Sequence, residues 1–478
     1  MLSRSQDTDD NTKALGFHIT SEPADGPDQG RPQDSIVYLH GVRFAIVAVM
    51  VGLALFLVTV ETTVATTSLV AITADLGGFE TASWIMTSYQ LGYVAVIVIF
   101  AKLSDIFGRK PVFVLCTFIF VAFSAGCAGA QTMVQLVPIG ALVLVLAVVG
   151  IPNGFPYHRQ SDRRTSVTDQ RTLSRVDIPG SILLMMSSLS FTACFQEAES
   201  RFAWGSAYVI TLLIATVVLW ALLLLWERHV TLSSKIREPV LPWRFFTNRA
   251  MIGVLLGFVL LGGPMSVMNF QLPQRFQLVN GLSSLDAGVR LLPFGAAFPV
   301  GSVGSANIAS KLRVPGVYLV LVGAVLQVIG YALLSTLDGS TTIQPAIYGY
   351  QILCGVGSGI SYQVLYLLVP FTSDKVDNAV GMGAANQFRT MGSAFGLAIT
   401  TSIFNGYIRS RLADLGLTDF STSLAPAQIA ALPLDVQLTV RTLLSEGYNR
   451  QMLALAALAA AEVPAALLMW RRKQIVTI

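Results

Sequence analysis

The sequence predicts an all-α polytopic membrane protein with about twelve spans, each near the ~20 residues that carry a helix across ~30 Å of hydrocarbon. Three observations carry that prediction. Hydrophobic residues make up 53% of the 478 positions and charged residues only 12%. The mean hydropathy is +0.64. The few charges are spaced at span-length intervals, with none between Arg43 and Glu61, Glu80 and Lys102, Arg201 and Glu227, or Arg249 and Arg275. A soluble domain holds about twice that share of charge, which argues against a soluble enzyme, a disordered chain or a disulfide-stapled secreted domain. The net charge of +4 is too small to point to nucleic acid.

Residues 1–43 are polar, rich in Asp, Gly, Pro and Ser, and read as a disordered cytosolic tail. Residues 44–152 then form an amino-terminal bundle of four spans, near 44–64, 84–103, 111–130 and 134–152. A basic loop, 153–177, leads to two linking spans near 178–196 and 206–226, and a second loop covers 227–250. Residues 251–470 hold six more spans, near 251–271, 287–309, 315–336, 345–369, 382–404 and 452–470, with a long outer loop at 405–451. The tail 471–478 opens with Arg471, Arg472 and Lys473. Glycine and proline inside these spans, such as Gly262, Gly263, Pro264 and Gly355, Gly357, Gly359, allow close helix contact and kinks in a membrane bundle.

With the amino terminus in the cytosol, the inner loops collect Lys102, Arg109, Lys110, Arg159, Arg163, Arg164, Arg228, Arg237, Lys311 and Lys375, while the four short outer loops hold only Arg201 and Arg275. Basic residues stay on the cytoplasmic side during insertion, so both termini are expected there, most simply in a cell (plasma) membrane. Arg409, Arg411, Arg441 and Arg450 fit this pattern least well, since they fall in the long outer loop. An internal echo between Ala101–Leu115 and Ala306–Leu321 suggests a duplicated bundle.

The chemistry expected of the chain is sparse. Cys116, Cys127, Cys194 and Cys354 lie in apolar runs and none pairs with a histidine at metal-ligand spacing. No G-x-x-x-x-G-K-[ST] loop is present, so neither ATP nor any other cofactor is expected, and an ion or substrate gradient must supply the energy. Glu61, followed by Thr62, Thr63, Thr66 and Thr67, is the proton-coupling candidate, because an intramembrane carboxylate is costly unless protonated, paired or facing water; a helix-end carboxylate at the outer interface is an equal reading. Glu462 is a second intramembrane acid, for which a structural partner is the favoured reading. The turn Asp105-Ile106-Phe107-Gly108-Arg109-Lys110 has the residues of a gating loop: glycine to bend, an acid to cap or pair, bases to hold the loop inside. Tyr89, Gln90, Gln271, Tyr362, Gln363, Gln387 and Arg389 are the candidate walls of a cavity for a small organic substrate. Packing explains each of them individually as well, and snorkelling is the alternative for Arg389.

These residues resemble a known pattern. AKLSDIFGRKPVF, starting at Ala101, is similar to the loop motif between the second and third spans of the major facilitator superfamily, with alanine where glycine is usual. ETTVATTSLVAI, starting at Glu61, resembles the acid-Thr-x-Val motif of the drug:H⁺ antiporters with fourteen spans, with Glu61 where the pattern has Asp. Trp84–Tyr93 looks like their second span, and 286–336 and 378–404 look like the carboxyl half of fungal efflux pumps for toxins and secondary metabolites. The resemblance implies proton-coupled export of amphipathic organic compounds, with the bilayer, protons and the substrate as partners. Two family motifs, R-x-x-Q-G-x-G in the fourth span and G-x-x-x-G-P in the fifth, are missing, and Gln135-Leu136 runs straight into Val137-Pro138. About sixty residues, two spans with their connections, are thus expected to be absent. The rival expectations are a truncated, non-transporting membrane protein and an importer of sugar or siderophore.

Overall fold

The computed structural model describes residues 41–42, 44–54, 56–57, 82–128, 175–198, 202–233, 237–339, 342–414, 433–472 and 474–475. A short helix α1 (Phe44–Ala54) packs Met50 against Phe113 and Val114. Helices α2 (Ala82–Phe107) and α3 (Arg109–Ala128) follow as a hairpin. Gly108 makes that turn at φ 94°, a backbone region that residues with a β-carbon rarely adopt. The expected span at 134–152 and the loop 153–174 lie outside the described residues.

Helix α4 (Ile178–Glu197) starts where Asp177 caps it, accepting a hydrogen bond from Gly180 N at 3.1 Å, with Pro179 in its first turn. It pairs with α5 (Ala207–Ser233), and this hairpin lies against α2 and the later helix α12. After a short turn of helix, α6 (Arg244–Thr247), comes α7 (Arg249–Leu278). The single span expected at 287–309 is divided: α8 (Ser284–Val289) is separated from α9 (Leu292–Lys311) at Arg290-Leu291. Helices α10 (Gly316–Leu334), α11 (Ala346–Thr372), α12 (Asn378–Asp414) and α13 (Leu434–Leu468) complete a carboxyl-terminal bundle around α7.

Small residues let these helices touch backbone to backbone. A β-carbon on Gly262 of α7 would lie 2.0 Å from the carbonyl oxygen of Arg389 on α12, and one on Gly359 of α11 would lie 2.1 Å from that of Phe298 on α9. Helices in lipid gain little from burying apolar surface, so such close van der Waals contact is what holds them.

Among the described residues, seven helical segments are long and apolar enough to cross a membrane: α4, α5, α7, Leu285–Lys311, α10, α11 and α13. Helices α2, α3 and α12 stand where the charge spacing places further spans. The stretch read as an outer loop is partly helix. Helix α12 has 37 residues and α13 has 35, about 55 and 52 Å at 1.5 Å per residue, well beyond a hydrocarbon core. Their projecting ends pack on each other through Ile408, Leu412, Val440, Leu444 and Tyr448, and Arg409, Arg411, Arg441 and Arg450 ride on these extensions.

Candidate functional site: a charged latch and an aromatic wall

At the end of the bundle that holds the α2–α3 turn, charged side chains from distant segments converge. Lys102 of α2 is 3% exposed and places Nζ 2.8 Å from Glu238 Oε2. Arg175, just before α4, reaches the other oxygen of the same carboxylate, with Nε at 2.9 Å. The backbone ties the same segments together, since Glu238 N donates to Arg175 O at 3.0 Å. Burial alone would raise the Glu238 carboxyl, but Lys102 and Arg175 outweigh it and hold the group below its usual range. Arg244 Nε lies 2.9 Å from Asp377 Oδ2, joining α6 to the turn before α12. Burial raises Asp377 against the pull of Arg244 and Lys102.

The sequence motif sits inside this ring but does not close it. Burial pushes the Asp105 carboxyl up to about 6 against the pull of Arg109 and Lys102, and one of its oxygens has no hydrogen-bond partner. Arg109 is exposed and Lys110 half-buried. The pair that crosses to another segment is made by Lys102, one turn before Asp105. The sequence signal for it was weak, because Lys102 reads first as a loop charge and Glu238 as one residue of a polar connection.

Deeper in the bundle, aromatic and amide groups form a wall. Tyr362 meets Phe298 and Tyr366 edge-on, with ring centroids 5.3 and 4.8 Å apart, and Tyr366 meets Phe258 at 4.5 Å. Arg389 Cζ stands 6.0 Å above the Tyr362 ring. Its Nε and NH2 donate to Asn386 Oδ1 at 3.2 and 2.7 Å, and the Tyr366 hydroxyl donates to the same oxygen at 3.3 Å. Asn386 Nδ2 donates in turn to the Tyr93 hydroxyl on α2. Arg389 is half-buried and makes no ion pair among the described residues. It is eleven residues into α12, about 16 Å from the helix start, deeper than a residue one or two turns from the end.

The other candidates scatter. Gln363 is half-buried beside Tyr362 on α11. Gln387 turns away from the wall and donates to Ser188 of α4. Gln271 donates to Thr401 at 3.3 Å, farther along α12. Tyr89 and Gln90 stand on α2, but their side chains lie outside the described residues, as does the whole of Glu61. Glu462 is 1% exposed and accepts from Gln327 Nε2 at 3.0 Å; Gln327 also bonds Ser358 and Ser361, so the acid links α13 to α10 and α11. Its other oxygen has no hydrogen-bond partner among the described residues. Sequence reasoning did not single out Tyr93, Tyr366, Asn386 or Gln327 as a set, since no local spacing links them.

Comparison with known proteins decides the family. Residues 51–157 and 180–397 match the model described as Major Facilitator Superfamily. The chain belongs to the major facilitator superfamily. It is 30% identical to the MFS-type transporter FPY5 of Fusarium mangiferae, over 87% of this chain and 82% of that protein. It is 25% identical to the efflux pump FUS6 of Gibberella fujikuroi, over 77% of this chain and 76% of that protein, and to the efflux pump dotC of Dothistroma septosporum, over 91% and 84%. A bacterial homologue of the human lysosomal transporter Spinster, in an inward-facing and occupied conformation, shares 12% identity at a TM-score of 0.48, covering 89% of this chain and 96% of its own. As a superfamily member with transporter relatives and membrane-length apolar helices, this chain is a multi-pass membrane transporter and not an enzyme.

The alignment with FPY5 is 488 positions long, longer than the chain itself. Since 87% of 478 residues is about 416, about 72 of those positions face gaps in this chain.

Proposed function

We propose that this superfamily member exports small amphipathic organic compounds in exchange for protons, by rocking two helical halves about a central cavity. The observation that carries the reading is the wall of Phe258, Phe298, Tyr362 and Tyr366 with Arg389 at its face, reached from the other half by Tyr93. Rings give an apolar, sequence-tolerant platform, and a cation with no carboxylate partner among the described residues offers an orienting charge. Efflux-pump relatives support the direction of transport. The Lys102–Glu238–Arg175 cluster closes the cytosolic side, with Asp105 and the Gly108 turn beneath it. Glu61 carries the proton, and the termini face the cytosol across the cell membrane. Purified full-length protein in proteoliposomes tests this: replacing Glu61 by Gln should abolish pH-dependent efflux, and unchanged exchange removes Glu61 from the mechanism.

A second reading has one observation in its favour. The gap positions in the alignment with FPY5, about 72, are similar in number to the about sixty residues expected to be absent after Leu136, so the chain is also readable as a shortened form that no longer moves substrate. Sequencing the transcript across Leu136–Val137 separates the two. An in-frame segment encoding an Arg-containing span and a Gly-Pro span supports the shortened form, and a continuous junction supports the chain as it stands.

A further inference from the structure

Beside the latch is a buried acid that the scheme above does not use. Glu227 is the first residue beyond the apolar run 206–226, on the last turns of α5. It is 0% exposed, and neither carboxylate oxygen has a hydrogen-bond partner among the described residues. The amides of Val240 and Leu241 face it without closing a hydrogen bond. Across from it, Asp177 is 1% exposed and accepts from two donors, Gly180 N at 3.1 Å and the single N–H of Trp226 Nε1, shared between its two oxygens at 3.0 and 3.1 Å. The two acids nearly touch. A β-carbon on Gly180 would lie 2.3 Å from Asp177 Oδ2 and 2.8 Å from Glu227 Oε1, so these oxygens are within about 5 Å of each other.

Two ionised carboxylates at that distance, both out of water, repel strongly. Asp177 has donors that satisfy an anion, whereas among the described residues Glu227 only faces the Val240 and Leu241 amides without closing a hydrogen bond. An unsatisfied buried charge costs several kcal/mol, and a carboxyl escapes that cost by keeping its proton. The charged groups facing Glu227 are Asp177 from α4 and Lys102 from α2. The segment after α5 adds the Val240 and Leu241 amides, and two residues earlier it carries Glu238, the partner of Lys102. An ionised Glu227 therefore competes with Glu238 for Lys102 and pushes α5 away from Asp177 on α4.

We propose that Glu227, wedged against Asp177 at Gly180, is a proton-binding site at the cytosolic end of the bundle, loaded while the Lys102–Glu238 latch is closed and discharged as it opens. The ligand is a single proton. On opening, the O–H bond of the Glu227 carboxyl breaks, the proton passes to cytosolic water and the electron pair stays on the carboxylate; no other covalent bond changes. The latch half of this inference rests on the rocking mechanism proposed above, whereas the proton site does not.

Infrared difference spectra of the full chain in lipid nanodiscs, titrated without substrate, read the proton site directly. A carboxylic-acid carbonyl band should disappear as pH rises, be missing in Glu227→Gln, and disappear at lower pH in Asp177→Asn, which keeps Glu227 but removes its negative neighbour. Should Glu227→Gln fail to fold, the Asp177→Asn midpoint decides. Labelling of Ser104→Cys by a membrane-impermeant maleimide reads the latch: its rate relative to that of a free thiol at the same pH, which removes the intrinsic rise of the thiolate, should rise with pH in the otherwise native chain and stay low when combined with Glu227→Gln. No titrating band lost with Glu227, a midpoint unmoved by Asp177→Asn, or labelling relative to a free thiol that still rises with pH in the Glu227→Gln background would each overturn the proposal. None of these measurements uses flux, so they stand apart from the Glu61 test.

Discussion

Single charges at the latch have effects of opposite sign, and the neighbours of each charge set that sign. Glu238 is held below its usual range by Lys102 and Arg175, so the stability it contributes is present at neutral pH and lost as pH falls below the ordinary carboxylate range. Replacing Glu238 by Gln leaves Lys102 buried without its partner, and a loss of about 2–3 kcal/mol is expected, discounted for the partial exposure of Glu238. The double variant Lys102→Met/Glu238→Gln should regain most of that loss, and a double-mutant cycle on melting in nanodiscs checks it. Asp105 behaves in the reverse way. Its carboxyl ionises near 3.8 when unfolded and at about 6 when folded, so the folded protein loses stability as pH rises through that window. Asp105→Asn should melt with wild type below that window and above it at pH 7.5. A variant that melts lower at neutral pH would instead give Asp105 a stabilising role.

Helix packing explains which glycines are required. Gly262→Ala drives a β-carbon into the Arg389 carbonyl 2.0 Å away and should destabilise the α7–α12 pair by about 3 kcal/mol or more. Gly304 on α9 has nothing within 4 Å of its would-be β-carbon, so Gly304→Ala should be neutral or gain up to ~1 kcal/mol from helix propensity. Comparative melting of the two variants reads the difference. The sequence already showed where most of these helices lie, because charges are too costly in hydrocarbon to fall inside a span. It did not show how far α12 and α13 project, since the ends of both helices are polar enough to read as loop, and only their mutual contact through Ile408, Val440 and Tyr448 makes them continuous helix. The break at Arg290-Leu291 falls at a charge, with Pro293 just after it, two local signals that the single span expected at 287–309 passed over.

At the scale of the whole molecule, the pairs that matter join segments far apart in the chain. Tyr93 and Asn386 are 293 positions apart, and nothing in local spacing announces their contact. The family motif marks the α2–α3 turn, while the ion pair that crosses to another segment there belongs to Lys102, whose partner sits in a connection with no motif of its own. Arg389 was named in the sequence as a cavity candidate with snorkelling as the alternative; its amide partner Asn386 lies three residues away on α12 itself, while its ring partner Tyr362 comes from α11. Whether these parts move substrate as one machine is tested most directly by flux from this 478-residue chain alone. Purified protein is reconstituted in vesicles loaded with a fluorescent aromatic amphiphile, and a proton gradient is imposed opposite to the direction of export. Accelerated loss of the dye that a protonophore abolishes is the expected result. Loss no faster than from protein-free vesicles, with or without the gradient, would contradict proton-coupled export by this chain.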